Sequence, residues 1–270
     1  MADKNDELWS TEPKALEAMT LATDYLFKHN YADDTDISVK AVILYGSRVY
    51  DTHTDDSDHD YLVVVDSTTL SHPIEVEIGI HHLENSDVEV SVMSDTLFDS
   101  LLENCEVRTI ESIFTSKSFV PIGYSWIQER KDIFSDRFES DPDTTKNLLR
   151  SAFSAVSSNS EVKGRKKVRD AKLTSGELSY SECMIGLKSV FHSIRLLMFG
   201  VQIGESKKIE DFTSAKECWD EIMTELVPKI GTGELTPSDI KKFYKKWAKT
   251  PEEGETKHLL TKFKDSLPKL

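Results

Sequence analysis

Three short runs rich in β-branched residues, "VKAVILY" at 39–45, "YLVVV" at 61–65 and "VEVSVM" at 88–93, fall close together in the first part of the chain. Each is flanked by polar or turn-forming residues and reads as a strand. "PIEVEIGI" (73–80) reads as a further strand or strand edge. Ahead of them, residues 12–29 place Leu16, Met19, Leu26 and Phe27 at helical spacing, with Thr11 available as N-cap and Pro13 tolerated in the first turn. After residue 95 the period turns helical, first in "TLFDSLLEN" and "EVRTIESIF" and then, beyond the polar breaker "SDPDTT" at 140–145, in nearly every segment. The expected class is α+β: a mixed-sheet unit over residues 1–139 followed by an all-helical unit over 140–270.

With 270 residues, 38% hydrophobic and 30% charged, the chain can bury a substantial core. No apolar run approaches signal-peptide or membrane-span length, so the expectation is a soluble, cytoplasmic protein without membrane contact. The three cysteines, Cys105, Cys183 and Cys218, show no CxxC spacing and read as small buried hydrophobes. A net charge of −15 disfavours nonspecific nucleic-acid binding by bulk electrostatics. That average hides a division: residues 1–120 hold 7 Lys or Arg against 25 Asp or Glu, and residues 121–270 hold 26 against 23. In the second part "KGRKKVR" concentrates Lys163, Arg165, Lys166, Lys167 and Arg169. This segment is either a phosphate-binding face or a solvated helix face.

The stretch "AVILYGSRVYDTHTDDSDHDYLVVVD" (41–66) crowds Asp55, Asp56, Asp58 and Asp60 against an apolar strand. Like charges side by side repel, so something must offset them. Asp58 and Asp60 are two residues apart at the start of a strand, where the pleat aims both to one face. That arrangement suits a divalent cation, whose Mg²⁺ form takes one or two carboxylates plus phosphate oxygens. Gly46 lets the backbone approach a ligand, Ser47 adds a hydroxyl and an amide, and Arg48 adds a cation, a combination suited to a phosphate group. "DVEVSVM" supplies a second acidic pair, Asp87 and Glu89, of which one or both would complete a two-metal site.

"YGSRVY" followed by "SDHDYLVVV" resembles the GS and DxD signature of the polymerase-β-like nucleotidyltransferases, with "DVEVSVM" standing where that superfamily has its third carboxylate strand. The resemblance implies a nucleotidyltransferase domain. Asp58 and Asp60 would bridge two Mg²⁺ ions (Mn²⁺ as a substitute), with Asp87 as the third ligand and Glu89 its rival. Gly46 and Ser47 would form the triphosphate turn. "ECMIGLKSVFHSIRLLMFGVQIGESKKIEDF" is similar to the helical part of RNA-repair nucleotidyltransferases of the RlaP group and of phage-borne relatives. Relatives usually carry glycine where this chain has Asp51, which implies a differently shaped turn there. The implied reaction moves a nucleoside monophosphate from an NTP to an acceptor hydroxyl, an RNA 3′ end first. Modification of a protein side chain or small molecule, or a nucleotide-binding module without activity, are the alternatives.

In the helical part, Lys188, His192 and Arg195 follow i, i+4, i+7 spacing and fall on one face among apolar neighbours. They are candidates for nucleotide phosphates, or for structural pairing with acidic residues. Glu111 in "TIESIF" is a candidate partner for one of these cations or for a metal-bound water. His53, His59, His72, His81 and His82 show no ligand spacing and read as surface residues.

Overall fold

The computed structural model describes residues 12–32, 37–80, 87–173, 177–251 and 255–268. The chain divides into two compact units, residues 1–140 and 141–270.

The first unit is built on a four-stranded mixed sheet of β1 (Val39–Tyr45), β2 (His59–Val65), β3 (Ile78–Ile80) and β4 (Val88–Ser94), in the order β1-β2-β4-β3. β1 and β3 run antiparallel to their neighbours, and the central β2–β4 pair is parallel. A parallel pair needs a crossover between its strands, and residues 66–87 supply it. The segment 73–80 contributes only the three-residue β3, shorter than its apolar pattern suggests.

Helix α1 (Pro13–Lys28) covers one face. Its cap is Glu12, whose carboxylate accepts from the Lys14 and Ala15 amides. Thr11, the expected cap, lies outside the described residues. Pro13 occupies the first helical position, which makes the preceding residue the cap. The buried stripe of α1 is Ala15, Ala18, Ala22 and Leu26, packed on Val42, Tyr61, Val63, Val65, Val88, Val90 and Val92. Phe27, expected among the apolar positions, is 48% exposed. Small alanines let the helix backbone approach the valine-rich sheet, so the contact face follows them and leaves Phe27 outside.

Residues alternating with that cluster, among them Ile43, Leu62, Val64 and Met93, are buried on the opposite face. The helices α2 (Asp95–Glu103), α3 (Val107–Phe114) and α4 (Tyr124–Ser140) complete the unit. Phe114 and Phe134 meet edge-on at 5.7 Å, and Phe98 meets Trp126 at 5.1 Å. Arg130 lies 4.0 Å over the Trp126 ring while binding both oxygens of Asp99, a planar fork matched to a carboxylate.

The second unit is helical: α5 (Pro142–Asp170), α6 (Tyr180–Ser206), α7 (Lys216–Glu221) continuing through a π-turn at Ile222–Leu226 into α8 (Pro228–Gly231), then α9 (Pro237–Lys249) and α10 (Leu259–Ser266). The basic segment 163–169 is the last part of one continuous α5, begun by Asp141, whose side chain accepts from the Thr144 amide. α6 is long and apolar enough to cross a membrane by composition, yet 67% of that window is buried within the protein. It is the core helix of this unit. Gly164 on α5 and Gly186 on α6 sit at a close crossing, where a Cβ on Gly164 would come within 2.8 Å of the Gly186 carbonyl oxygen. Ser157 and Ser193 satisfy each other across the same pair, the Ser157 hydroxyl lying 3.0 Å from the Ser193 carbonyl oxygen.

Candidate active site

The ends of three strands meet on one edge of the sheet. Tyr45, the last residue of β1, pairs with Asp60 on β2, and Asp60 pairs with Glu89 on β4. Paired residues on adjacent strands point to the same face, so Tyr45, Asp60 and Glu89 form one row, on the face opposite α1. Asp58 lies just before β2, two residues ahead of Asp60, and its carbonyl oxygen accepts from Arg48.

The chain turns directly after Tyr45. Gly46, at φ +78°, opens a short 3₁₀ turn, Gly46–Arg48. A Cβ at Gly46 would stand 2.1 Å from Asp60 Oδ2. A side chain there would displace the Asp60 carboxylate, which fills the space it would take. Ser47 lies on the turn, and its carbonyl oxygen accepts from the Thr52 amide at 2.9 Å, closing the loop that follows. Asp51 takes φ +54°. That is the left-handed region, which Asp tolerates better than most side chains.

Arg48 is turned toward the backbone. Its Nη2 donates to the Ser57 carbonyl oxygen at 2.7 Å and its Nε to that of Asp58 at 3.4 Å. The guanidinium therefore fastens the acidic loop to the turn and fixes where β2 begins.

Asp87 has a different setting from Glu89. One carboxylate oxygen binds the Lys14 ammonium on α1, and the other lies 3.3 Å from His59 Nδ1. His59 alternates with Asp60, so this cluster is on the α1 side of the edge. The Lys14 ammonium holds the Asp87 carboxyl below the usual range, and Asp87 in turn raises Lys14. His59, read from sequence as a surface residue, is partly buried through this pairing; His53 and His72 are exposed, and His81 and His82 lie outside the described residues.

Helix α3 adds Arg108, which no local pattern announced, and Glu111, a candidate from the sequence. Arg108 lies 5.0 Å over the Tyr45 ring, donates to Ser91 Oγ at 3.2 Å and pairs with Glu77. The Tyr45 hydroxyl is 3.3 Å from the same Ser91 Oγ. Burial pushes the Tyr45 phenol up, an effect Arg108 opposes, so the phenol stays protonated. Glu111, three residues along α3 and buried, accepts from the Tyr50 hydroxyl at 2.6 Å. Tyr45 precedes the Gly-Ser turn and Arg108 precedes Glu111 by one helical step, but only tertiary contact makes either adjacent to the carboxylates.

The remaining expected residues lie in the helical unit. Lys188 is exposed, His192 half-buried and Arg195 1% exposed, so their shared face runs from solvent into the core. Arg195 Nη2 donates to His192 Nδ1 at 2.7 Å, and its guanidinium lies 4.9 Å over the Phe199 ring. In the basic segment, Arg165 pairs with Glu161, Lys167 with Glu182 and Arg169 with Asp170. Three of its five cations are therefore neutralised locally, which favours the solvated-face reading for most of it.

Among the described residues, no group of three or more His, Cys, Asp and Glu side chains is gathered as a complete metal cage.

Residues 30–114 match the family model of a nucleotidyltransferase domain. The matched stretch contains the Gly46 turn, Asp58, Asp60, Glu89 and the α3 contacts. The crystal structure of a nucleotidyltransferase-like protein from Exiguobacterium sibiricum 255-15 is similar over 84% of this chain and 75% of its own, at 13% identity and a TM-score of 0.30. No curated protein matches the chain. The chain is thus an N-terminal α+β unit, within which residues 30–114 are similar to the nucleotidyltransferase-domain model, followed by a helical region.

Proposed function

We propose that this protein is a Mg²⁺-dependent nucleotidyltransferase that transfers a nucleoside monophosphate from an NTP to an acceptor hydroxyl, with the 3′ end of an RNA as acceptor. The observation that carries the reading is the Tyr45–Asp60–Glu89 row beside a left-handed Gly46 whose missing Cβ is replaced by the Asp60 carboxylate. Asp58 and Asp60 would hold the divalent ions. Glu89 is the better third ligand than Asp87, because it shares the Asp60 face, whereas Asp87 pairs with Lys14 on the α1 side. The ions, Mg²⁺ or Mn²⁺, would neutralise the triphosphate and the attacking oxygen.

The chain's own part is placement. Gly46 and Ser47 offer the turn on which the triphosphate rests, and Arg48 keeps Asp58 in position through the loop carbonyls. The new bond joins the acceptor oxygen to the α-phosphorus; the bond to the bridging oxygen breaks and pyrophosphate leaves, with no covalent protein intermediate. The helical unit would hold the acceptor, with Lys188 an exposed cation on it. Support for an RNA acceptor comes from the resemblance to RNA-repair enzymes and from the positive balance of the second part of the chain.

The test is pyrophosphate release and label transfer from each α-labelled NTP to RNA with free 3′ ends, for wild type and Asp60→Asn. Transfer that vanishes in a folded Asp60→Asn protein is the expected result. Wild-type turnover by that variant would sink the assignment.

A further inference from the structure

Helix α9 carries Lys241, Lys242, Lys245, Lys246 and Lys249 within nine residues, all exposed. Its opposite face is buried through Ile240, Phe243 and Ala248, and Trp247 donates its indole N–H to Glu221 at 3.0 Å. Orientation is therefore fixed: the lysine face looks outward. Several other lysines of this unit are matched with carboxylates, as in Lys208–Glu210, Lys216–Asp220, Lys229–Asp239 and Lys257–Asp265. On α9 only Lys246 has such partners, Glu221 and Glu225, in the ion pairs among the described residues. The helix's one carboxylate, Asp239, is consumed by the capping box with Thr236 and by Lys229.

The spacing makes this costly. Lys241 with Lys245, Lys242 with Lys246, and Lys245 with Lys249 are like-charge pairs at i, i+4, which destabilise a helix. The capping box and the apolar face offset that repulsion. A solvated face would gain from interspersed glutamates, whereas this one concentrates charge of one sign in a chain whose net charge is −15. Lys249 also lies 5.9 Å over the half-buried Tyr244 ring, which ties the end of the stripe to the helix.

We propose that the exposed face of α9 formed by Lys241, Lys242, Lys245 and Lys249 is the surface that binds the phosphate backbone of the acceptor RNA. This rests on the RNA reading above and moves the main footprint away from segment 163–169, where carboxylates already neutralise three cations. An RNA backbone has the matching charge, and binding it would relieve the lysine repulsion.

The experiment is fluorescence anisotropy of a labelled single-stranded RNA 20-mer with the full chain, without NTP or metal, as a salt series. Wild type is compared with a variant carrying K241Q, K242Q, K245Q and K249Q. A control of equal charge change carries K208Q, K216Q, K257Q and K262Q. Each lysine–phosphate contact on a single strand contributes about −0.7 to the slope of log affinity against log salt. The α9 variant should therefore bind more weakly and lose up to about 3 units of slope, while the control keeps most of both and circular dichroism shows both folded. Equal losses in the two variants would reduce the effect to net charge and overturn the assignment. Wild-type binding by the α9 variant would also overturn it. Absence of RNA binding by wild type, with pyrophosphate release intact on another acceptor, would overturn this surface and leave nucleotidyl transfer standing.

Discussion

Replacing Gly46 by alanine separates a backbone requirement from a chemical one. The residue sits at φ +78°, and an L side chain in the left-handed region costs roughly 1–2 kcal/mol. The added methyl would also lie 2.1 Å from Asp60 Oδ2, where real Cβ contacts essentially never fall under 3.0 Å. The carboxylate must therefore retreat by nearly 1 Å, which it can do by rotating its side chain with little further cost in stability. A misplacement of about 1 Å in a reacting constellation can cost on the order of 10²-fold in rate. The expected outcome is a modest loss of stability, about 1–2 kcal/mol, with a disproportionate loss of transfer. Gly233 supplies the control: its φ is +71° and a Cβ there would meet nothing within 4 Å. Gly233→Ala should show a similar loss of stability in its own unit and unchanged turnover. Urea denaturation measures the first quantity and pyrophosphate release the second. A Gly46→Ala protein that loses stability as expected yet turns over within a factor of about three of wild type would refute the argument, because Asp60 would then have no part near the reaction.

Two further outcomes follow from contacts away from that edge. Asp66 accepts from the Thr68 amide and hydroxyl at 2.9 and 2.7 Å and pairs with Lys40 at 2.6 Å, which pulls its carboxyl down to about 2. A depressed carboxyl stabilises the fold fully above its unfolded value of about 4 and loses that contribution as pH falls through the folded value. The stability difference between wild type and Asp66→Asn should therefore shrink from pH 5 toward pH 2, and a difference independent of pH in denaturation curves would contradict the pairing. Gly164→Ala would gain about 1 kcal/mol of helix propensity in an open helix. Here the methyl would meet the Val190 side chain at 2.6 Å and the Gly186 carbonyl oxygen at 2.8 Å, so crowding of about 1–3 kcal/mol should make the change destabilising; a raised melting temperature would show that the crossing is looser.

How much of the site was legible follows from the range of the forces involved. β-Branched composition and polar flanks placed β1, β2 and β4, and with them Asp60 at the start of a strand, because both signals are local; Asp58, expected there too, lies just before β2. The Gly-Ser turn was equally local. The extent of α1 was readable, but its buried stripe was not: Phe27 outranks alanine in hydrophobicity, while the sheet selects the side chains small enough to let the backbone approach.

The partners of the carboxylates were decided by tertiary structure. Alternation treats Asp87 and Glu89 alike, since they are two residues apart; parallel pairing of β4 with β2 sets Glu89 level with Asp60, and α1 brings Lys14 to Asp87 from far away in sequence. Arg108 reaches the Tyr45 ring only because α3 lies over the sheet. Two lysine-rich stretches look alike as strings, yet among the described residues carboxylates on α5 and α6 pair with three cations of one, while on α9 ion pairs reach only Lys246. Sequence alone fixed residue types and their local periodicity. Folding decided which charges meet, because charge pairing depends on distances of a few ångströms between segments that no local pattern relates.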